Sequence, residues 1–332
     1  MELSWRQRNR LNGLVSGRRE IADYQSDDQV LTKFPSGIIR PRLSACAAVK
    51  FRWGWYMATR TPTGRRTDFY NDPAFNYAQF WTGRDYEHQA EVIAIRRLLD
   101  GRRFASAIDI GGGFGRLSVV LASYADRVTL VDPSSQQLQL SESIFPGHPI
   151  IERRLMDAAD LQFSDGSADL VTMIRVLHHI PDPAAELAEM ARVLRRGGYA
   201  VVEVANSAHA GRRLGQLRGG AHVSYAPVDR RSEESRRQGT APYFNHHPRA
   251  IARQLSAVGL QVRQVLSVSN LRHPLVKTLL PEDVMLAVER AVQRPLGRFY
   301  FGPSTFFLLQ KRRGRATPVT SSGDRRPGTG TS

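Results

Sequence analysis

The nine residues Asp109-Ile110-Gly111-Gly112-Gly113-Phe114-Gly115-Arg116-Leu117 decide how this 332-residue chain is read. They continue a short apolar run, Ala105 to Ile110, that has the character of a strand, and they lead into Arg116 to Tyr124, which has the character of a helix. Glycine at 111, 113 and 115 lets the backbone bend sharply and approach a ligand with no side chain in the way. In an open α/β sheet such a bend lies in the crevice beyond the carboxyl ends of the strands, where ligands bind. A nucleotide site is expected here. Two familiar versions are excluded. The pattern G-x-G-x-x-G begun at Gly111 needs glycine or alanine at 116, where Arg116 stands, and begun at Gly113 it meets Leu117 and Ser118. No Gly-Lys-Ser/Thr closes the loop, so it is not a P-loop either.

Outward from this bend the chain alternates. Before it, Asp85 to Asp100 places Val92, Ile95, Leu98 and Leu99 at helical spacing and stops at Gly101. After it come strands at Val128 to Val131, Ile150 to Leu155, Asp169 to Ile174 and Tyr199 to Ala205, with helices at Ser134 to Ser143 and Ala184 to Leu194. Strands separated by helices argue for a parallel sheet covered on both faces. Residues 207 to 241 break the rhythm with five glycines and repeated Arg, Ser and Glu. That is long for a connection inside a compact domain, so it reads as a substrate lid or a mobile segment. Regular structure resumes with a helix at Pro248 to Val258, a strand at Gln261 to Val268, a helix at Glu282 to Gln293 and a last strand at Ser304 to Gln310.

With its acid in place, Asp109 to Gly115 resembles the acidic-x-Gly-x-Gly-x-Gly signature of class I methyltransferases. The second strand ends in Val128-Thr-Leu-Val-Asp132, 23 residues after Asp109, where an acid suits hydrogen bonding to ribose hydroxyls. Met156-Asp157-Ala158, Leu161-Gln-Phe163, Asp169-Leu-Val, Val176-Leu-His178-His179-Ile-Pro-Asp-Pro183 and Ala191-Arg-Val-Leu-Arg-Arg-Gly197-Gly198-Tyr199 continue the series. This looks like the type 11 branch, which includes ubiquinone and menaquinone methyltransferases. The resemblance implies a Rossmann-like, seven-stranded mixed sheet, its last strand antiparallel, with helices on both faces. It implies S-adenosylmethionine as cofactor and a small-molecule methyl acceptor. By the same analogy Gly111, Gly112, Gly113 and Gly115 form the cofactor loop, and Asp132 with Pro133 holds the ribose. Asp157 faces the adenine amino group with Ala158 beside the ring, Ile174 and Arg175 border the methionine portion and the substrate, and Asp109 reaches the cofactor amino group directly or through water.

The remaining chemistry-bearing residues leave alternatives open. His178 and His179 are catalytic candidates, either imidazole serving as a base for a hydroxyl acceptor; the favoured alternative is that they hold the turn after the fourth strand by hydrogen bonds. The pair His246-His247 resembles a metal site at first sight, yet adjacent residues seldom ligate one ion and Pro248 explains a helix start there, so no metal is expected. The aromatic stretch with Tyr70, Tyr77, Phe80, Trp81, Arg84 and Tyr86 either caps the active site or packs on the sheet. Tyr70, Trp81, Arg84 and Tyr86 are its substrate-pocket candidates, and Arg212, Arg213 and Arg218 could attract an acidic acceptor.

Composition bounds the rest. The net charge is +16, and it is concentrated at the ends. Residues 1–66 carry 13 Lys+Arg against 5 Asp+Glu, and residues 311–332 carry 6 against 1. The expected organisation is a poorly structured basic extension over 1–66, a methyltransferase domain over 67–312 with an insertion or lid at 207–245, and a disordered basic tail over 313–332. The change of character near residue 67 also raises Met57 as the true translation start, which mass spectrometry of the native N-terminus would decide. Basic ends admit an RNA methyltransferase as a second reading, but Arg175-Val-Leu-His178 stands where such enzymes carry an Asn-Pro-Pro-Tyr-type motif. A non-catalytic nucleoside-binding module is the third. One cysteine, Cys46, rules out an intramolecular disulfide. No apolar run approaches the roughly 20 residues that span a bilayer, so a cytoplasmic protein is expected.

Overall fold

The computed structural model describes residues 68–71, 77–219 and 224–312. The expected N-terminal extension, including Met57 and Cys46, and the C-terminal tail lie outside the described residues.

Seven strands form one sheet: β1 (Ala107–Ile110), β2 (Val128–Asp132), β3 (Ile151–Leu155), β4 (Ala168–Met173), β5 (Leu194–Ala205), β8 (Leu260–Val268) and β9 (Ser304–Lys311). Their spatial order is β3-β2-β1-β4-β5-β9-β8. The first five are parallel neighbours, while β9 runs antiparallel to both β5 and β8. The mixed sheet with its antiparallel last strand is as expected.

Near-continuous apolar strands follow from burial on both faces. In β2 Leu130 joins the core on one face and Val131 the other; in β9 Phe306 and Leu308 face one way, Phe307 and Leu309 the other. Helices α2 (Asp85–Leu99), α3 (Ser118–Ala122) and α10 (Glu282–Gly297) cover the first face. Helices α5 (Ala184–Val193) and α8 (Pro248–Ala257) cover the second. Contact between α10 and β8 is so close that a Cβ at Gly297 would overlap the Val265 carbonyl.

Helix α3 is shorter than Arg116 to Tyr124 because the glycine bend holds the chain out of helix until Ser118. Strand β5 starts at Leu194, yet after Ala168↔Leu194 the pairing with β4 resumes only at Leu170↔Tyr199, so Arg195 to Gly198 bulge out. Five further α-helices are present among the described residues: α1 (Tyr77–Phe80), α4 (Ser135–Ile144), α6 (Ala210–Gly219), α7 (Glu233–Arg237) and α9 (Pro274–Leu279). The insertion contains α6, α7 and a two-stranded ribbon, β6 (Val228–Asp229) with β7 (Phe244–Asn245). Among the described residues, no helix is long and apolar enough to cross a membrane.

Candidate active site

Strand order reverses between β1 and β4, and the crevice beyond their carboxyl ends is the expected binding place in such a sheet. The cleft there is lined by Tyr70, Tyr77, Gly111, Gly113, Asp132, Pro133, Ser134, Gln137, Met156, Asp157, Ala158, Arg175, Val176, His179, Ile180, Glu186, Ala241 and Pro242. Its floor is the glycine bend. Gly111 and Gly113 have φ of 65° and 58°, the left-handed region that favours glycine. A Cβ on Gly111 would overlap the Val176 side chain, whereas one on Gly113 would meet only the Tyr77 ring, 3.7 Å away. The face at Gly113 is therefore bare backbone lying under the Tyr77 ring, with no overlap at the Cβ position.

Asp132 closes the floor. Its Oδ2 accepts from the Gly113 N–H at 2.8 Å and its Oδ1 from the Ser134 N–H at 2.9 Å. Burial pushes its pKa up to about 6 against those two hydrogen bonds. Asp157 and Ala158 lie further along, and Asp157 Oδ1 accepts from the Ala159 N–H at 2.9 Å.

Asp109 does not line the cleft. It is buried under the bend, accepting from Thr172 Oγ1 at 2.6 Å and Ser118 Oγ at 2.7 Å. Both oxygens are thereby engaged in pinning β1 to β4 and to α3, and burial raises the carboxyl's pKa. Gly112, Gly115 and Ile174 also lie outside the lining. Gly112 sits over Leu130 and Asp109, Gly115 over Ser141, and Ile174 is in the core.

The two histidines part company. His178 is buried away from the cleft with Tyr243 edge-on to its ring, and burial, its first cause, holds its pKa well below the usual value. His179 lines the cleft. Its Nδ1 lies 2.9 Å from the Pro242 carbonyl, which can only accept, so Nδ1 carries the proton. Nε2 then accepts from the Tyr70 hydroxyl at 2.7 Å. Burial lowers His179 to about 4 and raises Tyr70, so near neutral pH the pair is an uncharged imidazole and an intact phenol. This chain ties the N-terminal segment to the insertion across the cleft. The segment is anchored again where Ser134 Oγ, the cap of α4 (Ser135–Ile144), meets the Tyr70 carbonyl at 2.8 Å.

Of the other aromatic-segment residues, Tyr77 reaches the cleft between Tyr70 and Phe114. Tyr86 does not: its hydroxyl donates to Glu289 at 2.8 Å and accepts from the Leu271 N–H at 2.9 Å, joining α2 to α10. Trp81 is buried between the guanidinium groups of Arg116 and Arg175, 3.6 and 5.1 Å from its ring centre. Arg84 stacks on Phe80 at 3.6 Å and, like Arg212 and Arg213, lies outside the lining; the Arg218 side chain is beyond the described residues. His246 and His247 have separate partners. His246 Nε2 meets the Leu177 carbonyl at 3.0 Å, and His247 caps α8 by accepting from the Arg249 N–H at 3.1 Å. Among the described residues no cluster of three or more His, Cys, Asp or Glu could hold a metal.

Sequence reasoning missed a buried charged group beside the cleft. Glu91 accepts from Arg116 at 2.5 Å and from Arg175 at 3.4 Å, and Glu203 accepts from the Arg175 backbone N–H at 3.1 Å. Its one legible signal was Glu91 itself, four residues before Ile95 on the apolar face of the predicted helix.

With the fold and the cleft in view, residues 108–202 match the model of the methyltransferase domain family. The chain is 31% identical over 111 residues to the ubiquinone biosynthesis O-methyltransferase of Paracidovorax citrulli, covering 32% of this chain and 45% of that one. It is 35% identical over 98 residues to the 2-methyl-6-phytyl-1,4-hydroquinone methyltransferase of Synechocystis, covering 29% and 31%. It thus spans less than half the length of these relatives. A solved S-adenosylmethionine-dependent methyltransferase of Thermotoga maritima, described as a possible histamine N-methyltransferase, superposes with a TM-score of 0.51 at 17% identity over 75% of this chain and 100% of that one. That likeness establishes the fold.

Proposed function

We propose that the chain transfers a methyl group from S-adenosylmethionine to a small-molecule acceptor. The observation that carries this reading is the bare backbone of Gly113 set against the Asp132 carboxylate in one cleft. Gly111 and Gly113 would hold the nucleoside, Asp132 with Pro133 its ribose hydroxyls, and Asp157 its adenine amino group, with Ala158 beside the ring. The methionine portion extends toward Arg175. When bound, the cofactor supplies an electrophilic methyl group on a sulfonium. What the chain supplies is alignment, since in-line displacement depends first on holding nucleophile and methyl together.

The tyrosines of the roof, Tyr70 and Tyr77, offer aromatic faces to an acceptor. For a hydroxyl acceptor, His179 is the available base: its fixed tautomer leaves Nε2 to receive a proton once Tyr70 yields that position or relays the proton through its own oxygen. His178 serves the turn. The quinone-type chemistry in the names of the two curated relatives supports an acceptor of small-molecule size. We also propose the organisation set out above, with the domain over 67–312 and the insertion supplying part of the roof.

Two measurements test this. Calorimetry with S-adenosylhomocysteine should show saturable binding by the wild type and none by Gly113→Arg, which fills the bare face. Profiling of cell extracts with methyl-labelled cofactor should yield a labelled small molecule with the wild type alone. Absence of S-adenosylhomocysteine binding would end the reading.

A further inference from the structure

The buried charged group beside the cleft has a loose end. Arg116 is fully engaged: one nitrogen meets Glu91 Oε2 at 2.5 Å, another meets His88 Nδ1 at 2.6 Å, and its plane lies on Trp81. Arg175 is not. Its NH1 makes one long contact, 3.4 Å, to the other Glu91 oxygen, and its Nε is buried with no partner in the protein. An N–H withdrawn from water and left unpaired is costly, and on the wall of a cleft a ligand can supply the missing acceptor.

The backbone makes the same point. Arg175 has φ of 61°, a left-handed conformation that an arginine adopts only when its surroundings enforce it. Here Glu203 enforces it, accepting from the Arg175 N–H while its other oxygen takes the Ser304 hydroxyl at 2.5 Å. The outcome is a guanidinium on the cleft wall, held from behind by Glu91. The cleft is also polarised. Asp132, Asp157 and Glu186 lie in its lining, and among the described residues Arg175 is the cation that lines it. A ligand with a carboxylate beyond its nucleoside fits in one direction only.

We propose that Arg175 is the receptor for the α-carboxylate of the cofactor's methionine portion, its fork offered to the two carboxylate oxygens, and that Glu91 is the positioning residue that holds it there. This rests on the reading of the cleft as an S-adenosylmethionine site. Arg116, Trp81 and His88 belong to the same device: they immobilise Glu91, so that the guanidinium is oriented before the ligand arrives.

The test compares two probes that differ only in the carboxylate: S-adenosylhomocysteine and its decarboxylated analogue, S-adenosyl-3-thiopropylamine. In the wild type the carboxylate should improve affinity roughly tenfold or more, the range of a charge-assisted forked pair. Arg175→Gln should weaken S-adenosylhomocysteine by about that factor and leave the analogue within about twofold, and Glu91→Gln should do the same to a lesser degree. A variant that merely disturbs the fold would weaken both probes alike. Equal losses for both, or no loss for either, overturn the assignment. Should the variants fail to fold, the wild type still decides, because equal affinity for the two probes overturns it as well. If the wild type binds neither probe, it is the cofactor reading that has failed; if it binds both equally, only the carboxylate assignment has.

Discussion

Lowering the pH from about 7.5 to about 5 should weaken S-adenosylhomocysteine binding through a single group, Asp132. Burial holds this carboxyl at about 6 in the ligand-free protein, although the Gly113 and Ser134 N–H groups both donate to it. In the proposed pose ribose hydroxyls donate to Asp132, best to its ionised form, so the ligand would select that form. At pH 7.5 nearly every molecule has it; at pH 5 only about one in ten does, and affinity should fall about tenfold. Calorimetry in buffers of different ionisation enthalpy reads the same linkage a second way, as nearly one proton released on binding at pH 5 and almost none at pH 7.5. Stability follows with the opposite sense. A carboxyl raised from its usual value of 3.8 favours folding below that value and loses its contribution, about 3 kcal/mol, as the pH rises through about 6. The ligand offsets that loss, so it should raise the melting temperature more at pH 7.5 than at pH 5. Equal affinity at both pH values, or the same slope in Asp132→Asn, would refute the reasoning.

Three further outcomes are expected. Gly111→Ala should destabilise the protein by about 1–3 kcal/mol in denaturant unfolding, because alanine resists a φ of 65° and its Cβ would overlap Val176. Tyr86→Phe should cost about 1–3 kcal/mol by leaving Glu289 and the Leu271 N–H each short of a partner, with S-adenosylhomocysteine affinity unchanged; a change in affinity would return Tyr86 to the cleft. Tyr70→Phe should speed S-adenosylhomocysteine release about two- to tenfold in stopped flow, since the bond to His179 that spans the cleft contributes about 0.5–1.5 kcal/mol. Unaltered release would show that this bond does not retain the ligand.

What could be read from the sequence was what lies close together in it. Asp109 to Gly115 and Asp132 sit at the ends of adjacent strands, so their spacing carried the geometry, and the alternation of strands and helices carried the sheet. The charged group could not be read in this way. Glu91, Arg116, Arg175 and Glu203 come from one helix, one strand and two loops, and pairings among residues so far apart leave no periodic trace. Arg116 is instructive: at the sequence level it only spoiled a dinucleotide pattern, and in the structure its guanidinium holds Glu91. The substitution that excluded one cofactor class helps to build the wall of the cleft. Likewise Tyr86 and Trp81 belonged to an aromatic run with two readings, and only tertiary packing separates Tyr70 and Tyr77 at the cleft from their neighbours in the core. Helix α9 escaped notice because its six residues are too few to display a period.

The cleft is assembled from separate stretches of the chain. Everything beneath it, from the glycine bend to Glu186, comes from one uninterrupted stretch. Everything above it comes from Tyr70 and Tyr77 on one side of that stretch and Ala241 and Pro242 on the other. The two flanks meet each other across His179 and bear little of the sheet's packing. On the proposed function, exchanging those flanks between kindred proteins should therefore redirect which compound is modified while the berth proposed for the donor stays intact.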